Sequence, residues 1–148
     1  MAKTLICLAA MCALAGAQDS QNEWRKPDQL IRALQLKRSD VVAVLEPEPF
    51  VAPRIADRVR TVLNFNDPAT AAQSVDVIVL YDALHRVERR GEFYPKIRHL
   101  LRLGGCVVNV DLSAELPQPQ AVQEFAAGGF HITKSVGLSP LQYFLVFE

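Results

Sequence analysis

The sequence is poor in several things that would have narrowed its function. Neither sign of charge dominates: sixteen Lys and Arg balance sixteen Asp and Glu over 148 residues. Without a basic excess there is no electrostatic footprint for sequence-independent binding to nucleic acid, which rests on cations neutralising phosphates. Only three cysteines are present, so a disulfide-dense scaffold is excluded. No P-loop, G-x-S-x-G or C-x-x-C pattern occurs, and none of the three histidines stands at a recognisable metal-ligand spacing, so no metal is proposed. Aromatic residues make up 7% and hydrophobic residues 50% of the chain, a globular composition without low-complexity segments or internal repeats. The length allows one domain and hardly two.

The longest uncharged apolar stretch is short and N-terminal. Lys3 supplies a positive start, Thr4 to Leu14 is apolar, and Ala15-Gly16-Ala17 precedes polar Gln18-Asp19-Ser20. This is the pattern of a secretory signal peptide over residues 1–17, cut after Ala17; an uncleaved anchor or a buried helix is the alternative. The run is too short for a comfortable membrane span. The expectation is a secreted or periplasmic protein with no stable membrane association after cleavage. Cys7 and Cys12 follow Ile6 and Met11, not the small residue that a lipoprotein signal needs. Cleavage leaves Cys106 as the one cysteine, in the apolar run Cys106-Val107-Val108; it reads as a small core residue before it reads as a nucleophile.

Residues 18–26 form a polar arm, and residues 27–148 alternate helix and strand signals. Pro27-Asp28 opens a helix with Leu30, Ile31 and Leu34 on one face. Val41 to Leu45 is a short β-branched run, a buried strand stopped by Glu46-Pro47-Glu48-Pro49. Pro53 starts a helix to about Arg58, and Val59 to Phe65 reads as a second strand closed by the turn Asn66-Asp67-Pro68. Val75 to Tyr81 is the strongest strand. A helix follows with Phe93, Ile97, Leu100 and Leu101 on its apolar side; Pro95 must lie in its first turn or kink it, and Gly104-Gly105 is expected to end it as a left-handed cap. Cys106 to Val110 is a strand, Pro119 to Ala127 a helix closed by Gly128-Gly129, and Phe130 to Val136 and Gln142 to Phe147 an antiparallel pair. The pattern predicts an α/β fold: a mostly parallel sheet with helices on both faces. In such sheets ligands bind beyond the carboxyl ends of the strands, which directs attention to Glu46–Phe50, Asn66–Pro68 and Asp82–Glu88.

Four stretches together resemble the class I S-adenosylmethionine-dependent methyltransferases, a Rossmann-like family. They are WRKPDQLIRALQLKRSDVVAVL, SVDVIVLYDALHRVE, LRLGGCVVNVDL and FAAGGFHITKSVGLSPLQYFLVFE, which cover most of Trp24 to Glu148. The resemblance implies S-adenosylmethionine as cofactor and a methyl acceptor, a small molecule. It places Glu46, Glu48 and Phe50 in the cofactor loop and Asp67 near the adenine. It places Asp82 and His85 on the substrate side, where His85 can act as a base. From the residues alone, Asp67 reads first as a turn residue beside Pro68, and Asp82 and His85 read also as a surface loop or helix start.

Two departures stand out. The family's first strand leads into a glycine-rich loop whose free N–H groups receive the cofactor's carboxylate. Here Val44-Leu45-Glu46-Pro47-Glu48-Pro49-Phe50 contains no glycine, the prolines donate nothing, and Glu46 and Glu48 are expected to repel that carboxylate. The family's second strand, which ends in an acidic residue that holds the ribose, and its following helix also look missing, because Ala56-Asp57-Arg58 runs almost directly into Val59. The expected fold therefore lacks about one strand–helix unit, and the strands on either side of the gap must pair directly. These departures favour a methyltransferase-like protein and count against its catalytic competence; the alternatives are an active reduced methyltransferase of small molecules and a non-catalytic exported binding module. A second copy covering an exposed sheet edge would make a homodimer.

Overall fold

The computed structural model describes residues 27–148. The expected signal peptide and the polar arm lie outside the described residues. Among those described, no helix is long and apolar enough to cross a membrane.

The elements follow the hydrophobic pattern. Helix α1 spans Pro27–Leu34, β1 Val41–Leu45, α2 Ala52–Ala56, β2 Thr61–Asn64 and β3 Val75–Tyr81. A single 3-10 turn, Leu84–Arg86, leads to α3 (Arg90–Leu100), β4 (Leu101–Leu112), α4 (Gln118–Ala127), β5 (Ile132–Gly137) and β6 (Gln142–Phe147). The six strands form one sheet in the order β2-β1-β3-β4-β6-β5. The first four are parallel; β6 runs antiparallel to both β4 and β5. This is the mostly parallel, Rossmann-like sheet with a closing antiparallel pair that the sequence implies.

Alternation along the strands sorts the core into two layers. Ile78, Leu80, Val107, Leu145 and Phe147 pack under Tyr94 and Ile97 of α3 and Phe125 of α4. Val77, Val79, Val108, Val110 and Phe144 pack on the other face, against Leu30 and Ile31 of α1 and Ile55 of α2. Both faces are buried, so β3 reads as a continuous apolar run rather than an alternating one. Phe125 stacks on Phe147 at 3.9 Å between ring centroids and 14° between planes.

The shortened connection has the consequence expected of it. β2 pairs in parallel directly with β1, Thr61 opposite Val41 and Asn64 opposite Val44. Because β3 lies on the other side of β1, the sheet switches direction between β1 and β3, where a ligand crevice belongs in an open sheet.

One expectation about α3 and β4 needs correction. Gly104-Gly105 does not cap the helix. The helix ends at Leu100, and the glycines lie within β4. Gly104 does adopt a left-handed φ of 81°, but it does so in a bulge: Val75 pairs with Leu101 and Val77 with Cys106, so residues 102–105 loop out. Gly105 passes close to β3, where a Cβ would come 2.9 Å from the Asp76 carbonyl oxygen. The same pair of glycines serves helix end and strand bulge alike, and pairing with β3 decides between them. Pro95, in turn, falls inside α3 beyond its first turn, leaving the Gly91 carbonyl without its helical donor. Smaller shifts affect Val59, buried ahead of β2, and Phe130, which precedes β5.

Candidate functional site

The carboxyl ends of β1, β3 and β4 bring together groups that are far apart in sequence. After β1 the chain must turn without glycine, and Glu46 organises the turn. Its Oε1 accepts the backbone N–H groups of Phe50 (3.0 Å) and Ala52 (3.1 Å), and its Oε2 accepts that of Val51 (2.8 Å). Glu46's own carboxylate thus occupies the amides at the start of α2. Pro47, Glu48 and Pro49 bulge outward and are exposed. Phe50 folds back and stacks on Tyr81 at the end of β3, with centroids 5.6 Å apart and planes 27° apart, while the Arg54 guanidinium lies 4.4 Å from the Phe50 centroid.

Two cavities flank this loop. One, of about 380 Å³, lies between the carboxyl ends of β1 and β2 and is lined by Leu45, Glu46, Pro47, Leu63, Asn64 and Asn66 among others. The end of β2 contributes Asn64 and Asn66 to this lining. The other, of about 160 Å³, lies at the switch point and is lined by Pro47, Glu48, Phe50, Tyr81, Asp82 and Arg86. Small-molecule sites span about 300–1,000 Å³, so the first has room for a ligand and the second holds only a fragment.

Asp67 sits on the exposed turn after β2, and its Oδ1 accepts the Ala69 N–H at 2.9 Å. That bond is what an aspartate does in a turn before Pro68.

Asp82 and His85 do come together, with a third residue that the sequence did not single out. Asp82 is the first residue past β3 and has a left-handed φ of 49°. Its N–H donates to the Val110 carbonyl at 2.9 Å, which ties the turn to β4. Arg86 donates from Nε to the Asp82 carbonyl (3.0 Å) and from Nη2 to Asp82 Oδ2 (3.4 Å). His85 Nδ1 lies 3.8 Å from Asp82 Oδ1 but only 2.7 Å from Oδ1 of Asp111, near the end of β4. Asp111 is wholly buried. Burial pushes its carboxyl above the usual range, while the Leu112 amide and His85 pull the other way. The signal for Asp111 was an acidic residue inside the apolar run Val107 to Leu112; a buried charge in a central strand requires a partner.

Asp82, His85 and Asp111 each offer one ligand atom, all within 4.8 Å of one another. Asp82 and His85 share one turn and Asp111 lies 26 residues beyond His85 in β4, so no ligand spacing shows in the sequence. As they stand, His85 is engaged by Asp111 and Asp82 by Arg86.

No protein-family model matches the chain, and no curated protein matches it in sequence. Solved structures do match in shape. The chain has the class I methyltransferase fold. It superposes on an S-adenosylmethionine-dependent methyltransferase from Aquifex aeolicus with a TM-score of 0.64 at 9% identity, covering 82% of this chain and 88% of that one. A TehB-like S-adenosylmethionine-dependent methyltransferase from Corynebacterium glutamicum matches with a TM-score of 0.55 at 12% identity, over 90% and 97% of the two chains. Aeropyrum pernix fibrillarin, solved with natively bound S-adenosylmethionine, matches with a TM-score of 0.50 at 15% identity, over 76% and 67%. At these identities the likeness is one of fold, and a fold does not carry a function without its site.

Proposed function

We propose that this methyltransferase-fold chain is a non-catalytic binding module for a small molecule and does not transfer methyl groups from S-adenosylmethionine. The observation that carries this reading is the Glu46 carboxylate on the amides of Phe50, Val51 and Ala52. By resemblance, amides at this position receive the cofactor's carboxylate. With an internal carboxylate in place, a second anion 4 Å away would be opposed by about 4 kcal/mol at the effective dielectric near a protein surface. Pro47 and Pro49 offer no N–H in exchange, and Phe50 against Tyr81 narrows the switch-point crevice. The cavity between β1 and β2 remains as the binding site. Export directed by residues 1–17 fits this reading, because the cofactor is made inside cells. So does a homodimer in which a second copy covers the open edge of β2.

A second reading, a reduced methyltransferase of small molecules, is favoured by the contact between His85 and Asp111. Calorimetric titration of S-adenosylmethionine into the folded full-length protein separates the two. No heat of binding is expected. Saturable binding would overturn the first reading and turn the search to methyl acceptors.

A further inference from the structure

We propose that Leu103, in the bulge of β4, docks into a hollow on a second copy of this chain, so that two copies interlock at the amino end of the sheet.

A single exposed leucine calls for no explanation. This one is held out. Among the described residues Leu103 is 105% exposed, whereas Leu141 and Ile132, the other large apolar side chains at the surface, reach 59% and 39%. The bulge that carries it is rooted on β3 at both ends. Arg102 donates from Nη1 to both carboxylate oxygens of Asp76 at 3.1 Å, and Gly105 passes close to the Asp76 carbonyl. A side chain displayed on a fixed mount loses little freedom on binding, which makes it an effective anchor.

Leu103 also borders a hollow of about 640 Å³. Apolar Phe144 and Val146 line it with Cys106, and so do charged residues of both signs, Lys37 and Lys134 with Asp40 and Glu148. A knob beside a hollow is an arrangement that a two-fold axis completes. Each copy gives its Leu103 and receives the other's, so both are buried at once. The charges favour the same occupant. A face that meets itself must carry both signs, whereas a face for a strongly acidic or basic partner would carry one. Nor does the whole chain repel its like, since sixteen basic residues balance sixteen acidic ones. The hollow on the other side of the bulge is the poorer receptor. There Arg98 lies over the Phe130 ring, 4.6 Å from its centroid, and already covers apolar surface. The contact neither needs nor blocks pairing at the β2 edge, because β1 and β3 stand between β2 and β4.

Sedimentation velocity of the full-length protein from about 1 to 100 µM, the range of a modest dimer, tests this. The wild type should pass from monomer to dimer. Leu103→Glu should raise the dissociation constant about 100-fold, because two buried leucines are lost per dimer. The substitution falls on a fully exposed side chain, so the fold should survive it, as circular dichroism can check. Leu141→Glu should leave the association unchanged, since Leu141 precedes Gln142, which pairs with Leu112 at the far end of β4. Cys106 supplies a local readout, because it lines the hollow. Its alkylation, followed by mass spectrometry of its peptide, should be slower in the concentrated wild type than in the dilute one, and should not depend on concentration in Leu103→Glu. A wild type that stays monomeric throughout would overturn the proposal, as would a dimer that survives Leu103→Glu. A dimer in which Cys106 reacts equally at all concentrations would show that the copies meet elsewhere and would overturn it too. No ligand takes part, so the outcome is independent of whether the cavity between β1 and β2 binds a small molecule.

Discussion

Gly128, at the end of α4, sits against Tyr94 of α3 so closely that a Cβ there would lie 2.8 Å from the Tyr94 Cβ and 3.0 Å from its Cγ. The Tyr94 ring is buried and meets Phe125 edge-on, so it has nowhere to retreat. Gly128→Ala should destabilise the protein by about 1–3 kcal/mol, the cost of overpacking. Urea unfolding followed by circular dichroism measures it; a midpoint equal to that of the wild type would contradict the close approach.

Glu46 is expected to matter for stability in the absence of any ligand. Glu46→Ala strips three amides of their acceptor and should cost about 1–3 kcal/mol, the range for leaving buried or half-buried donors unpaired. Glu46→Gln keeps one acceptor and should lose less. Equal stability of all three proteins would mean that water serves the loop as well as Glu46 does.

Helices α3 and α4 are joined by Arg90, which donates to the two carboxylate oxygens of Glu124 at 2.7 and 3.0 Å, with Tyr94 and Gln120 adding further donors. The Arg90 bonds chiefly hold the Glu124 carboxyl below the usual carboxylate range. A depressed carboxyl contributes stability above its unfolded pKa and loses it as the pH falls through the folded one. Stability should therefore drop on acidification below about pH 4.5, the ordinary glutamate range, and part of that drop should vanish in Arg90→Ala. The variant should cost about 1 kcal/mol at neutral pH, since the pair is partly exposed. Unfolding midpoints between pH 7 and 3 provide the comparison.

Burial pushes the Cys106 thiol up to about 11, which removes most of the reactive thiolate at moderate pH. Its alkylation at pH 8, followed by mass spectrometry of the peptide that contains it, should be about 100-fold slower in the native protein than in urea, where the thiol is back in water and ionises in its ordinary range. Comparable rates would mean that Cys106 is reached in the folded state.

How much of this was legible in the sequence depends on the range of the interaction. Val41–Leu45, Val75–Tyr81 and Gln142–Phe147 show their full extent in composition, because each is an apolar, mostly β-branched or aromatic run stopped by polar or turn residues. Gly104 was placed in the right backbone region but in the wrong element, since only its β3 neighbour distinguishes a bulge from a cap. The absence of glycine after β1 is visible in the sequence. That Glu46 would turn back onto three amides is not, because the turn is set by where Phe50 finds Tyr81. Asp82 and His85 stood out because they follow the strongest strand. Asp111 did not, because its partner is 26 residues away in sequence and the run around it reads as core.

The strand order also constrains how the chain folds. β5 precedes β6 in sequence, yet β6 lies between β5 and β4. β5 therefore has no edge to join until β6 is there to pair with it. During synthesis, Ile132–Gly137 leaves the ribosome before the strand that will receive it. Until then Val107 to Leu112 presents an open apolar edge, the kind of surface on which partly made chains aggregate. Closure of the sheet is a late and non-local event, and it falls to the residues from Gln142 to Phe147.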